Sequence, residues 1–477
     1  MQPYIALGAI VGEIRPAVLT CAWFAVAAAA ATTACAARRA SAPAGARPWS
    51  GSPSAATSGG TAADFAEGRW RRLESARFTL TTDWPLPEAQ RILRDLDEYF
   101  QALITVCFEG AAPGTERIPV IALATREITR RYLVSWSSGV FIAQLPYQPL
   151  IVLGVGESGY SDAIVRHELV HYAMQLAQRR ELPLWYGEGV ASYFQTLAYD
   201  RAGRRLLVGR AELGRVHALR EKGPLLPADD LIDGLLDTAI DTEPERFYAT
   251  SWLLAHMLIH QAPAVFSAYE RALLQGVTSA EAWARSSPPA LRSAIDGLLA
   301  RYFKEKRYEV GRRLPWEAAP VALTPVALAP ADLLATEALL HAVGARQQPE
   351  QRAGHFEAAS RLVAAALRQE PAHLAALQVA LALEQRPSVE AARAALRGRE
   401  QSWIAWLLLF DVLSATADPS VEVERRAALA RAAALAPAEP AVAVARGLGP
   451  GRAHRGMLPL GRGATAAHRR DHRGAHP

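Results

Sequence analysis

Cysteine is scarce in this chain, and that scarcity narrows its chemistry first. Three cysteines stand among 477 residues: Cys21 and Cys35 near the N-terminus, and Cys107 alone beyond them. A disulfide-stapled domain or a cysteine-rich zinc site needs an even, spaced set, so both are excluded from the folded body. Cys107 follows Ile92, Leu93, Leu96, Phe100 and Leu103 at helical spacing and reads as a buried core thiol.

A surplus of positive charge is also missing once its location is considered. The net charge is +5, but the tail from Gly451 carries +5 by itself and residues 1–64 carry +2, which leaves residues 65–450 at about −2. The body has no basic stripe for a nucleic acid to meet, and nucleic acid is excluded as a partner. Large side chains are almost absent from Ala36 to Asp64, a run of Ala, Ser, Gly, Pro and Thr that cannot build a core and reads as a flexible linker over 36–64. The apolar stretch Ala17–Ala31 is short for a membrane span and follows Arg15, so residues 1–35 read as an export signal. Its end, Thr32-Thr33-Ala34-Cys35, resembles a bacterial lipobox, although leucine is usual where Thr32 stands. That resemblance implies lipidation of Cys35, a membrane held through the lipid anchor, and exposure to the periplasm or cell exterior. Cleavage near Ala34 with plain secretion, or an uncleaved anchor, are the alternatives.

What is present begins with mixed structure. Ala76–Thr82 reads as a strand, Pro87–Phe108 as an amphipathic helix, Ile118–Ala124 as a strand, and Gly139–Ala143 and Leu150–Leu153 as two more. After Asp162 the reading is nearly all helix. Pro315, Pro320, Pro325 and Pro330 mark a linker over 315–330 that resists helix. Beyond it, residues 331–450 are Ala/Leu-rich and helical. Ala364-Ala365-Ala366-Leu367 before Glu370-Pro371 returns as Ala432-Ala433-Ala434-Leu435 before Glu439-Pro440, a displacement of about two 34-residue periods, with a degenerate copy ending at Ala394-Ala395-Leu396. The stretch resembles tetratricopeptide repeats, which implies a surface for a protein partner; an unrelated helical bundle is the plain alternative. The tail 451–477, with His454, His468, His472 and His476, reads as disordered and basic.

The chemistry centres on Arg166-His167-Glu168-Leu169-Val170-His171-Tyr172. Four residues apart on a helix, His167 and His171 project from one face and can hold one Zn²⁺ between them. Glu168 sits beside the first ligand, placed to act as general base toward a water that the metal activates. A second cluster follows, Pro183-Leu184-Trp185-Tyr186-Gly187-Glu188-Gly189-Val190-Ala191-Ser192-Tyr193-Phe194. Glu188 stands 17 residues after His171, room enough for a loop at Leu182-Pro183 and a second helix returning a carboxylate to the metal.

His-Glu-x-x-His followed by Trp-x-x-Glu-Gly-x-Ala-x-Tyr resembles the gluzincin peptidases, and more narrowly the peptidase-MA-like family of bacterial metalloproteases, often lipoproteins joined to helical repeats. The resemblance implies a zinc peptidase with His167, His171 and Glu188 as ligands and Glu168 as base. It also implies an α+β fold, in which a small sheet plus a helical zincin-type catalytic domain over 65–314 precedes the all-α repeat-like domain. Gly187 replaces the asparagine common before the glutamate ligand in gluzincin aminopeptidases, and the Gly-x-Met-Glu-Asn motif of those enzymes is absent. An aminopeptidase assignment is therefore unsupported. For the donor to the developing oxyanion, family layout points to Tyr248, with His256 as the alternative; an aromatic residue on a buried helical face is the plain reading. Arg246 and Arg210 are candidates for a substrate carboxylate, and Gly139–Ala143 for a strand that an extended peptide could join. Two rivals stand beside hydrolysis of envelope proteins or peptides: a zinc hydrolase cutting peptidoglycan stem peptides, and a non-catalytic scaffold with structural zinc.

Overall fold

The computed structural model describes residues 70–108, 116–134, 138–156, 162–177, 182–416 and 418–447. The export signal with Cys35, the linker 36–64 and the tail from Gly451 lie outside the described residues.

Along the chain run β1 (Arg71–Glu74), β2 (Phe78–Thr82), α1 (Leu86–Phe108), β3 (Ile118–Ala122), α2 (Arg126–Tyr132), β4 (Gly139–Ile142), β5 (Leu150–Leu153), α3 (Ala163–Ala177) and α4 (Leu184–Phe194). There follow β6 (Ala198–Asp200), β7 (Arg205–Val208), α5 (Leu213–Glu221), α6 (Pro244–Gln261), α7 (Pro263–Leu274), α8 (Ser279–Ser286), α9 (Ile295–Lys304), β8 (Arg312–Pro315) and β9 (Thr324–Val326). The helices α10 (Pro330–Gln347), α11 (Arg352–Gln369), α12 (Leu374–Ala382), α13 (Val389–Leu396), α14 (Trp403–Ser414), α15 (Glu422–Leu435) and α16 (Pro440–Ala445) complete the described chain. The fold is α+β, and among the described residues no helix is long and apolar enough to cross a membrane.

Two compact units divide the molecule. One holds the chain up to Arg117 together with Asp162–Leu328; the other holds Ile118–Ser161 together with the chain from Ala329. The segment 118–161, which the sequence reading groups with the metal motif, therefore clusters with the C-terminal helices.

In the first unit β1 pairs antiparallel with both β2 and β9, Leu73 lying opposite Leu80 on one side and Pro325 on the other. Pro325 lacks an N–H, and β9 is an outer strand, the position where that loss is tolerated. A three-stranded antiparallel sheet joins β6, β7 and β8. The proline-marked linker is thus free of helix from 316 to 329 but supplies β9 and the end of β8. The expectation of near-pure helix after Asp162 misses these strands. Helix α1 buries Ile92, Leu93, Leu96, Phe100 and Leu103 on the side its periodicity marks.

In the second unit β3 and β5 run parallel, and β4 lies antiparallel to β5 as an outer strand. Helices α10, α11 and α12 meet at Ala335, Ala366 and Ala376, where small side chains allow close approach. Trp403, Leu407 and Leu408 of α14 centre a larger cluster with Leu377, Ala395, Ala428 and Ala432. Tyr147 joins that cluster and donates a 2.8 Å hydrogen bond to Asp411. Leu367, Leu396 and Leu435, which end the three related sequence stretches, stand near the C-terminal ends of α11, α13 and α15.

Candidate metal centre

Helix α3 is hydrophobic almost all round, with Val165, Leu169, Val170, Ala173 and Met174 buried, so it belongs inside the unit and not on its surface. Asp162 sets its start: its carbonyl accepts from the Arg166 backbone at 2.9 Å and its carboxylate accepts from the Arg166 side chain at 2.8 Å. Arg166 lies over the ring of Tyr99, whose hydroxyl donates to the Arg166 carbonyl at 2.9 Å. The turn that carries His167 is thereby fixed against α1.

Helix α4 begins after Pro183, whose missing N–H costs nothing where no intrahelical partner exists. Trp185 Nε1 donates to Tyr269 at 3.2 Å and the Tyr186 hydroxyl donates to Glu270 at 2.5 Å, which anchors the first turn to α7. Gly189 lets α4 cross α6 closely, for a Cβ there would lie 2.4 Å from the Ser251 carbonyl oxygen. These contacts hold Glu188 toward α3 from a helix with supports of its own.

The result is a buried convergence of His167, His171 and Glu188, each less than 10% exposed. Glu188 Oε2 lies 3.0 Å from His167 Nε2 and 3.4 Å from His171 Nε2, and the two Nε2 atoms are 3.2 Å apart. His167 Nδ1 is 2.8 Å from Gln195 Oε1, an atom that only accepts, so Nδ1 carries the proton and Nε2 presents a lone pair inward. The His167 lone pair therefore faces the Glu188 carboxylate, two acceptors 3.0 Å apart, and His171 Nε2 lies within 3.4 Å of both, an arrangement that calls for positive charge among them. Two imidazoles and a carboxylate are a donor set suited to zinc, and the residues fit a single ion.

The electrostatics agree. Burial pushes the Glu188 carboxyl up, but the charge of His171 and the close approach of both imidazoles outweigh it and hold Glu188 well below the usual carboxylate range. Burial works to lower His171, yet Glu188 and Glu168 raise it above the ordinary histidine value. Three apolar side chains of similar volume would cost less to bury than this trio, whose ionised members lose several kcal/mol of hydration each. Stability does not account for the trio.

Glu168 is half-buried, and its carboxylate makes no hydrogen bond among the described residues, while its charge acts on His171 and Tyr248. Tyr248, on the first turns of α6, sets its ring edge-on to His167 at 6.4 Å. Its hydroxyl is likewise without a hydrogen bond among the described residues. Burial first, then the charge of Glu188, push Tyr248 up to about 12, with Arg215 pulling the other way. His256, the alternative donor, is fully buried with Nε2 on the Gly209 carbonyl at 2.9 Å and Nδ1 on the Tyr302 hydroxyl at 2.8 Å. Both nitrogens are committed, so His256 is a structural group. Arg246 is spent on Glu243 and the Pro224 carbonyl, and Arg210 is exposed.

Two residues at the site carry no mark in the sequence reading. Gln195 stands seven residues after Glu188, two helical turns on the same face, and that spacing is the signal that could have found it. Arg215 lies over the Tyr248 ring at 4.8 Å, and no local motif distinguishes it from other arginines. No protein-family model matches the chain, and a comparison with curated proteins finds no match.

Proposed function

We propose that this protein is a zinc-dependent peptidase with a zincin-type catalytic unit that hydrolyses peptide bonds in envelope proteins or peptides. The observation that carries the reading is the convergence of His167, His171 and Glu188 from two separately anchored helices, with the uncommitted Glu168 and Tyr248 beside them. His167, His171 and Glu188 would hold the ion. When bound, zinc would supply Lewis-acid polarisation and bring the pKa of water toward neutrality. Glu168 takes the proton of the attacking water and returns it to the leaving amine. Tyr248, protonated at neutral pH, donates to the oxygen that gains charge. Gln195 fixes the tautomer and orientation of His167.

Among the described residues three ligands converge, which favours this reading over a scaffold with structural zinc, because structural sites are closed by four and catalytic sites leave a position for substrate. Cell-wall stem peptides fall within the same chemistry. The C-terminal helices would offer a protein-binding surface of tetratricopeptide-like kind, and a lipid on Cys35 would tether the whole to a membrane facing the periplasm or cell exterior. Metal analysis of the purified protein tests the core of the proposal. One zinc per chain, reduced in Glu188→Gln, is expected; absence of zinc at neutral pH would overturn it.

A further inference from the structure

Arg215 is built into the site without a hydrogen-bond partner for its side chain among the described residues. Only 24% of its side chain is exposed, and its Nε is buried with no hydrogen bond. None of its guanidinium N–H groups makes a hydrogen bond among the described residues. A guanidinium has five donors and keeps its charge under all ordinary conditions, so leaving the buried Nε–H unmet is costly, while the terminal N–H groups stay open to a ligand. The nearest carboxylate is Glu212, 3.9 Å from Nε and beyond hydrogen-bond range. Glu212 is committed elsewhere: its oxygens accept from the backbone of Gly214 at 3.2 Å and Arg215 at 2.5 Å, capping α5. Glu188 acts on Arg215 electrostatically but is itself held between two imidazoles.

Its placement gives the unmet group a direction. Arg215 is stacked on Tyr248, and Tyr248 sets its ring against the metal ligand His167. A guanidinium over an aromatic face is held in orientation while its in-plane N–H fork stays available, the geometry that receives a carboxylate bidentately. An arriving carboxylate would meet donors that the Tyr248 ring and the charges of Glu212 and Glu188 leave without a hydrogen bond.

Resting on the peptidase reading above, we infer that Arg215 is a specificity-determining residue that binds a carboxylate of the substrate beside the bond to be cut. Two sources share that chemistry: the C-terminal carboxylate of a short peptide, which would make the enzyme trim from that end, and an acidic side chain next to the cut. Arg215 acts on binding and not on the chemical step, so its loss raises KM for acidic substrates and leaves kcat near its starting value.

The test uses the full chain and four probes: N-acetyl-Leu-Leu as free acid and as C-terminal amide, and N-acetyl-Glu-Leu amide against N-acetyl-Gln-Leu amide. Binding is followed by calorimetry, hydrolysis by chromatography, and zinc content is recorded for each protein. A charge-assisted bidentate pair predicts roughly tenfold to hundredfold tighter binding of the acid than of its neutral counterpart. Preference within the first pair assigns the chain terminus, and within the second the side chain. Arg215→Gln should erase the preference with zinc unchanged, and Arg215→Lys, which keeps charge without the fork, should restore part of it. Equal binding of acid and neutral probes by the native protein, a comparison that needs no variant, would overturn the inference, as would a preference that survives Arg215→Gln. Zinc and hydrolysis without preference would leave the peptidase standing and this inference refuted. Preference without zinc would do the reverse.

Discussion

Alanine at Gly189 and alanine at Gly187 should move stability in opposite directions, although the two glycines flank the same ligand. In a helix, Gly→Ala gains about 0.8–1 kcal/mol of intrinsic propensity at either position. At Gly187 the new Cβ would sit 3.9 Å from His171 Cε1, an ordinary contact, so part of that gain should remain. At Gly189 it would lie 2.4 Å from the Ser251 carbonyl oxygen and 3.0 Å from Ala255 Cβ. A backbone oxygen cannot rotate aside, so α4 and α6 must separate by about 1 Å to reach normal contact. Overpacking of this kind costs roughly 1–3 kcal/mol and more where backbone must move, which exceeds the propensity gain. The net expectation is a loss of about 1–2 kcal/mol for Gly189→Ala and a gain of about 0.5 kcal/mol for Gly187→Ala, from those two effects. In a unit of this size that is a fall of several degrees against a rise of one or two, by the usual scaling of about 2–4 °C per kcal/mol. Because Glu188 rides on the displaced helix, Gly189→Ala should also weaken zinc retention. Thermal and urea unfolding of both variants, with metal analysis, decides the matter. Equal stability of the two, or a stabilised Gly189→Ala, would refute the close crossing as the device that aims Glu188.

Gln195→Ala should keep the three ligands but loosen His167, lowering zinc affinity roughly tenfold to a hundredfold in chelator competition while stoichiometry at saturating zinc stays at one. His256 supplies a pH dependence. Burial lowers its pKa to about 4 and that of His260 to about 3, so the folded state resists the proton that the unfolded chain accepts. The sign follows: this contribution is intact above pH 6.5 and is lost as pH falls from there toward 4, at about 3 kcal/mol for His256 alone. Urea midpoints between pH 7 and 4.5 should drop steeply in the native protein and less so in His256→Gln; parallel curves would contradict the assignment. Cys35→Ser should release the protein from the membrane fraction, and a variant still bound at native levels would exclude the lipid anchor.

Much of the site was legible because its geometry is local. A four-residue spacing puts two imidazoles on one helical face whatever surrounds them, and Gly187-Glu188-Gly189 after Leu182-Pro183 announces a second helix bearing a carboxylate. Helix α1 was legible for the same reason, its apolar period running over six turns. The hairpin of β6 and β7 was not, since strands of three and four residues are too short to show alternation and its turn uses Arg204 at φ 48°, where glycine or asparagine would have signalled it. The grouping of 118–161 with the C-terminal helices was equally hidden. It rests on pairings such as Tyr147 with Asp411, 264 residues apart, and Gln348 with the carbonyls of Arg130 and Leu133. Such pairings leave no local trace. Gln195 and Arg215 matter through what they touch, which spacing alone expresses weakly.

The central claim is most directly tested at Glu168, which stands beside the ligands without being one of them. Glu168→Gln keeps the shape of the side chain and removes only its capacity to accept a proton. Zinc content and peptide hydrolysis measured together in this variant should show the metal retained at one per chain and the rate reduced roughly 10²–10⁴-fold. A variant that keeps both its zinc and its full hydrolytic rate would contradict the account.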